Sequence, residues 1–377
     1  MDFSRRRFFH FAGAGAGLLL QSKVLNGLTS SEVDSGKSTP SSAKGSTPVA
    51  SPRTQVALVK GENRRKNIEQ ALLTIDKQVQ AGLKGKKYVI IKPNNVSTEN
   101  QLASTHIDAI YGVLDYLAPR FRGPVVVAES SAGDTLEGFE SFGYHALEKD
   151  KSQKVTLVDL NREDKYESVT ILDFDLHIAP VRLAARLFDP DAYVICCAIL
   201  KSHNAAIASL SVKNMVLGAP LHGPNGWRSW NDKRKYHAGI RQMHYNMLVT
   251  AEKMRPHWGV AVIDGFEGME GNGPTQGVPV QSRIAIASTD FLAADRVGLE
   301  TMGVDPEWPG YLTYCAKVGL GQYDLSKIEV VGPPIASVQK KYRLHNDVER
   351  QLQWRGPMED LPPRMGRLMD EQSFKYV

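Results

Sequence analysis

Short apolar, β-branched runs recur along the chain and alternate with stretches whose apolar residues keep helical spacing. The runs are Val56 to Lys60, Tyr88 to Pro93, Val125 to Glu129, Val155 to Leu160, Asp191 to Ile199, Gly259 to Asp264, Arg283 to Ser288 and Ile328 to Val331. Several are apolar at almost every position, which fits strands covered on both faces. Between them Ile68, Leu72, Ile75 and Val79 fall on one helical face, as do Ile107, Ile110, Leu114 and Leu117 behind Ser104 or Thr105 as a cap. A third helix is predicted to open at Asp290 and stop at Gly303. This alternation predicts an α/β fold, multilayer, with a mostly parallel central sheet, helices on both faces and right-handed crossovers.

The pattern places one α/β domain over residues 55–335. Within it, residues 203–254 show no clear strand and read as an insertion or lid. That segment holds Trp227 and Trp230, which either cover a site, bind a flat ligand or simply pack. Residues 336–377 are polar and Arg-rich and read as a peripheral tail. Residues 29–54 are Ser, Thr, Pro, Gly and Lys with almost nothing large and apolar, so they read as a disordered linker that cannot offset its ordering entropy. Residues 1–28 carry Arg5, Arg6 and Arg7 ahead of a weakly apolar stretch from Phe11 to Leu20. This is the layout of a twin-arginine signal peptide, and it predicts Tat export, with the translocase as a transient partner and a periplasmic or extracellular destination. The competing reading is an arginine-rich disordered tail. The apolar stretch falls well short of the roughly 20 residues that cross a bilayer, so no stable membrane span is expected.

Composition narrows the class. The 377 residues are 42% hydrophobic and 23% charged, which excludes a disulfide miniprotein, a collagen-like fibre and a wholly disordered chain. Net charge is +5, but seven basic and only three acidic residues lie in the first 54, so the folded body is close to neutral. A neutral body has no basic stripe for counterion release, which argues against nucleic acid as a partner. Cys196, Cys197 and Cys315 are too few and too irregularly spaced for a zinc site, an iron–sulfur cluster or a disulfide framework.

In an open α/β sheet the ligand site lies beyond the carboxyl ends of the strands. Polar residues stand there repeatedly: Lys92-Pro93-Asn94-Asn95, Glu129-Ser130-Ser131, Lys201-Ser202-His203, Asp264-Gly265 and Ser288-Thr289-Asp290. Each alone is explained by a turn or cap, and Asp290 in particular reads as an N-cap. Together they predict one crevice lined by lysines, amides, carboxylates and an imidazole.

The segments IIKPNN, LKSHNAAIASLSVKNMVLGAP, VIDGFEGMEGNGPTQG and IASTDFLAADRVGLETMG, in this order, resemble the family called domain of unknown function 362, from about Val56 to Gly332. The residues that match its pattern are Lys92, Pro93, Asn94, Lys201, His203, Lys213, Asn214, Gly218, Asp264, Glu270, Gly271, Gly273, Asp290 and Asp295. The resemblance implies a fold and a set of marked positions rather than a reaction. Many relatives carry a ferredoxin-like cysteine cluster that this sequence lacks, which weakens an electron-transfer role.

Lys201 and His203, two apart on an extended segment, share a face, and Lys213 and Asn214 follow after a short Ser-rich stretch. Two ammonium groups and an imidazole form an anion receptor and lower the pKa of one lysine toward general-base use. The competing reading is a pair of solvated lysines beside a structural histidine. The glycine run from Gly268 to Gly277 lacks the Walker sequence and GxGxxG, so it is either a ligand-approaching loop or a plain hairpin. Asp264 and Glu270 with His203, and one of His222, His237 or His244, make a candidate divalent-metal site. Asp173, Asp175 and His177 read as charges on an exposed strand edge, with metal ligation as the alternative.

The resulting expectation is an exported enzyme acting on a small anionic substrate. Lys201, His203, Lys213 and Glu270 are its catalytic candidates. Lys92, Asn94, Asn95, Glu129, Asn214, Gly271 and Gly273 are its substrate-binding candidates. A non-catalytic ligand-binding protein and an accessory redox or maturation factor are the alternatives.

Overall fold

A computed structural model describes residues 53–150, 152–223, 230–237 and 239–356. Residues 1–28, read as a signal peptide, nearly all of residues 29–54, read as a linker, and Trp227 lie outside the described residues. The strands are β1 (Thr54–Lys60), β2 (Tyr88–Lys92), β3 (Val125–Glu129), β4 (Val155–Asp159), β5 (Tyr166–Leu172), β6 (Ile178–Ala184), β7 (Ala192–His203), β8 (Ile207–Ser209), β9 (Trp258–Asn272), β10 (Gln276–Val280), β11 (Ile284–Ser288) and β12 (Ile328–Val331). The longer helices are α1 (Arg64–Thr74), α2 (Asp76–Leu83), α3 (Ile107–Leu117), α4 (Thr135–Ser141), α5 (Ser211–Gly218), α6 (Ile240–Met254), α7 (Phe291–Met302) and α8 (Gly310–Lys317).

Ten strands form one sheet, in the order β12-β1-β11-β9-β7-β2-β3-β4, with β8 paired to β7 and β10 to β9. The central pairs β9–β7, β7–β2, β2–β3 and β3–β4 are parallel. All twelve residues of β7 are buried, as expected for a strand covered on both faces. Alternate residues feed two apolar layers. Ile90, Cys196 and Ile263 belong to the layer under α5, α6 and α7, and Val89, Cys197 and Val262 to the layer under α1 and α3. The expected multilayer α/β architecture is therefore the observed one.

Three strands, β8, β10 and β11, run against the common direction. β11 runs antiparallel to both β9 and β1. The link from β9 to β10 is too short for a crossover helix, so the chain turns back once in a hairpin, and β11 continues along β9 in the direction of β10. Its carboxyl end, Ser288 with Thr289 and Asp290, consequently lies at the opposite rim from Lys92 and Lys201, and this part of the expected crevice is corrected. Asp290 caps α7, accepting from Ala293 N at 3.1 Å, and Gly303 ends that helix in the left-handed region, as the sequence predicts.

Four further expectations change. The helical stretch from Ile68 to Val79 is split between α1 and α2, with Ile75 at the break. α3 is capped by His106, whose Nδ1 accepts from Asp108 N, rather than by Ser104 or Thr105. The segment 203–254 contains β8, α5 and α6, whose apolar faces belong to the main core, so it is not simply a lid. The described part of the tail likewise buries Tyr342 and Trp354 in that core.

Candidate functional site

The carboxyl ends of β2, β3 and β7 reach one rim, and α5 lies across it. Lys92 closes β2 and Glu129 closes β3, and parallel pairing of these strands sets them side by side. Lys92 Nζ donates to Glu129 Oε1 at 2.7 Å, to Pro93 O at 3.0 Å and to Asn214 Oδ1 at 3.2 Å. These three bonds use all the donors an ammonium group has. Glu129 in turn accepts from Ser130 N at 2.8 Å and from Asn95 N at 2.9 Å. Lys92 and Glu129 thus form a buried, saturated pair that shapes the loops after β2 and β3. Neither offers a free group to a substrate, which corrects their assignment as direct ligand contacts.

Asn214 links this pair to the rest of the rim. Its Oδ1 also accepts from Asn94 Nδ2 at 3.1 Å, and its Nδ2 donates to Cys196 Sγ at 3.3 Å. Asn94 Oδ1 and Asn95 Nδ2 are buried without a hydrogen-bond partner. Gly218, one turn beyond Asn214, lies against Lys92, and a Cβ there would strike Lys92 Nζ.

Lys213 precedes Asn214 on α5 and is 8% exposed. It has no hydrogen bond or ion pair among the described residues. Burial, reinforced by the charge of Lys92, lowers its pKa to about 7. Lys201 is more deeply buried. Its Nζ donates to Ala103 O at 2.6 Å, and burial together with Lys213 holds its pKa well below the usual lysine range. His203 Nδ1 accepts from Ala205 N at 3.0 Å and Ala206 N at 3.1 Å, so the neutral ring carries its proton on Nε2. Burial keeps His203 neutral, and the charges of Lys213, His237, Lys201 and His345 act in the same direction.

Sequence reasoning missed Lys233. It lies in the helical turn Asp232–His237, within a segment with no clear apolar period. Its Nζ is 3.3 Å from Leu217 O and 3.4 Å from Gly218 O, and burial lowers its pKa to about 7. The structure therefore gathers Lys92, Lys201, Lys213, Lys233 and His203 around the paired carboxylate of Glu129, with Asp159, paired with Arg162, also acting on Lys233. Such a site has an excess of positive charge and hydrogen-bond donors, which suits an anion.

Other predicted residues serve different ends. Asp264 Oδ2 is bridged by Arg64 Nε at 3.1 Å. Glu270 accepts from Arg343 Nε at 2.7 Å and from Arg343 N at 3.0 Å. With each carboxylate neutralised by an arginine and His203 Nδ1 turned to backbone, Asp264, Glu270 and His203 do not fit a divalent cation. No group of three His, Cys, Asp or Glu able to hold a metal occurs among the described residues. Glu270 is likewise removed from the catalytic group. The ring nitrogens of His222 lie 2.9 Å from Ser131 O and 2.8 Å from Gly223 O, and His244 is buried between Tyr311 and Trp354.

Gly271 and Gly273 belong to the β9–β10 hairpin. A Cβ at Gly273 would strike Ser202 O, and Ser202 Oγ donates to Gly271 O at 2.9 Å. These glycines let the hairpin close on β7 rather than cradle a ligand. Asp173 and Asp175 fall in the turn between β5 and β6, where Asp173 Oδ1 accepts from Asp175 N and His177 N. Trp230 is exposed and lies under the Arg182 guanidinium, 3.4 Å from its ring centroid.

The family model described as domain of unknown function (DUF362) matches residues 89–300, more than half of the chain, and the chain belongs to that family. The thylakoid-associated protein sll1697 of Synechocystis sp. (strain ATCC 27184 / PCC 6803 / Kazusa) is 32% identical over 127 residues. That match covers 33% of this chain and 37% of the relative, so the chain spans little more than a third of the relative's length. A crystal structure of a protein from Thermotoga maritima is similar with a TM-score of 0.39 and 11% identity, over 59% of this chain and 55% of that one. No helix among the described residues is long and apolar enough to cross a membrane.

Proposed function

We propose that this chain, as a member of the domain of unknown function 362 family, binds a small anionic molecule at the carboxyl rim of its sheet and acts on it by proton transfer. One observation carries the reading: Lys213 is buried beside other lysines with no partner of its own among the described residues. A buried ammonium in that position either gives up its proton or meets an anion. A pKa of about 7 allows both, so Lys213 is the acid/base group, working in buried surroundings where charge stabilisation is strong. Lys201 and His203 Nε2 supply further donors, and Asn94 Oδ1 is an acceptor for a hydroxyl or amino group of the ligand. The pair Lys92–Glu129 positions the loops and adds charge without direct contact.

A non-catalytic ligand-binding protein is the second reading. It is favoured by the pairing of Asp264 and Glu270 with arginines, which takes both carboxylate candidates out of the chemistry. Turnover in the first reading therefore rests on lysine and histidine alone. The Arg5-Arg6-Arg7 leader supports Tat export and action in the periplasm or outside the cell.

Thermal unfolding of the purified protein against inorganic phosphate, sulfate and malonate tests the reading. A ligand at a hundred times its dissociation constant stabilises by about 2.7 kcal/mol. At least one of these anions is expected to raise the midpoint in the parent protein and to lose that effect in Lys213→Met. No shift with any of the three defeats the proposal.

A further inference from the structure

Lys233 has an uncommon setting for a lysine in a connecting segment. The turn that carries it is anchored by buried neighbours. Asp232 accepts from Arg182 N at 2.8 Å and Arg182 Nε at 2.9 Å, and Tyr236 OH lies 2.6 Å from Thr250 Oγ1 on α6. Lys233 is therefore held in place rather than free on a surface loop. Its Nζ reaches the last carbonyls of α5, Leu217 O and Gly218 O. Gly218 is also the residue against which Lys92 rests, so two ammonium groups meet at one glycine.

A lysine at a helix C-terminus has a ready explanation in the helix dipole. That role needs no other lysines nearby. Placing Lys233 where Lys92 and Lys213 are already buried adds repulsion that grows as water is removed. The two bonds of Lys233, at 3.3 and 3.4 Å, are also longer than the usual 2.9–3.0 Å, and a third donor remains. Repulsion of this kind is offset when a ligand brings more than one negative charge.

We propose that Lys233 is a specificity-determining residue of the rim site, and that it makes the site select tetrahedral oxyanions carrying two negative charges, the phosphoryl dianion class, over singly charged anions. The inference rests on the anion-receptor reading above and deepens it. A single negative charge leaves several of Lys92, Lys201, Lys213 and Lys233 uncompensated against Glu129, because Asp159, the other carboxylate that acts on Lys233, is itself paired with Arg162. A phosphoryl group also offers three terminal oxygens, which match the unused donors of Lys213, Lys233, Lys201 and His203.

Titration calorimetry on the full chain at low ionic strength, with phosphate and sulfate as dianions and nitrate and formate as monoanions, tests this. Sulfate stays doubly charged at every working pH, so it separates charge from protonation. The parent protein is expected to bind the dianions at least about tenfold more tightly than the monoanions, a factor worth 1.4 kcal/mol. Lys233→Met is expected to lose about that factor for the dianions and little for the monoanions, and Lys233→Arg to keep the preference. If Lys233→Met unfolds more easily yet retains the dianion preference, Lys233 is a helix cap alone and the inference is overturned. Equal affinity for all four anions in the parent protein also overturns it while leaving the receptor reading intact. Binding of none defeats both.

Discussion

Asp295 on α7 accepts from Ser211 twice, from its backbone N–H at 2.8 Å and its hydroxyl at 2.6 Å, and takes a third bond from Val212 N at 3.0 Å. α5 has no cap of its own, since Leu210 stands at its N-cap position. A carboxylate from a distant helix therefore sets the start of the helix that carries Lys213 and Asn214. Asp295→Ala leaves those donors unpaired in a dry interior. The expected cost is about 1–3 kcal/mol by chemical denaturation, with a parallel loss of anion affinity as α5 shifts. Reduced stability with unchanged affinity would separate the cap from the site.

The pair Lys92–Glu129 lies at 0% and 2% exposure. Removing one member strands the other charge, so Lys92→Met and Glu129→Gln are each expected to cost about 3–5 kcal/mol. The double variant Lys92→Met/Glu129→Leu is expected to cost clearly less than the sum. Strict additivity in urea unfolding would show that the two charges do not depend on each other.

Lys213 and Lys233 both sit near 7, against 10.5 for a free lysine. From about 7 to 10.5 the unfolded chain holds protons that the folded chain does not, so the ligand-free protein is expected to gain stability as pH rises through that window. Lys213→Met is expected to flatten this slope, and Lys233 to preserve the remainder. A bound anion restores the charge on these lysines, so binding at pH 8 is expected to take up protons, measured as a buffer-dependent enthalpy. A buffer-independent enthalpy argues that the lysines are charged throughout.

At Gly218 the constraint is space rather than backbone conformation, because a Cβ meets Lys92 Nζ. Gly218→Ala is expected to displace Lys92 and cost about 1–3 kcal/mol, as overpacking does. Gly271→Ala serves as the contrast. Its φ of 78° strains any side chain, yet it lies in the hairpin, so it is expected to lower stability without changing anion affinity. Equal affinity losses for both variants contradict this division.

The eight apolar runs are all strands, because strands buried on both faces write themselves as continuous hydrophobic sequence. Asp290 and Gly303 bound α7 as read, since both act through local backbone geometry. Information carried by distant partners was less legible. Arg64 lies 200 residues before Asp264, and Arg343 is well beyond Glu270, so two carboxylates set among glycines resembled ligands until their arginines were in place. The reversal of β11 was within reach, because the stretch between Asp264 and Arg283 is too rich in glycine and proline to form a crossover helix. His106 escaped notice as a cap because an imidazole replaces the usual hydroxyl or carboxylate. Lys233 sits in a turn without periodicity, and only the fold brings it to Gly218.

Diffraction from crystals of the full chain soaked in selenate, at the selenium absorption edge, addresses the anion site most directly. The account predicts an anomalous peak within about 4 Å of Lys213 Nζ, one selenium–oxygen bond beyond hydrogen-bond distance, on the side of the rim shared with Lys233, and its absence in Lys213→Met. Peaks confined to surface arginines, with nothing beside Lys213, would contradict it.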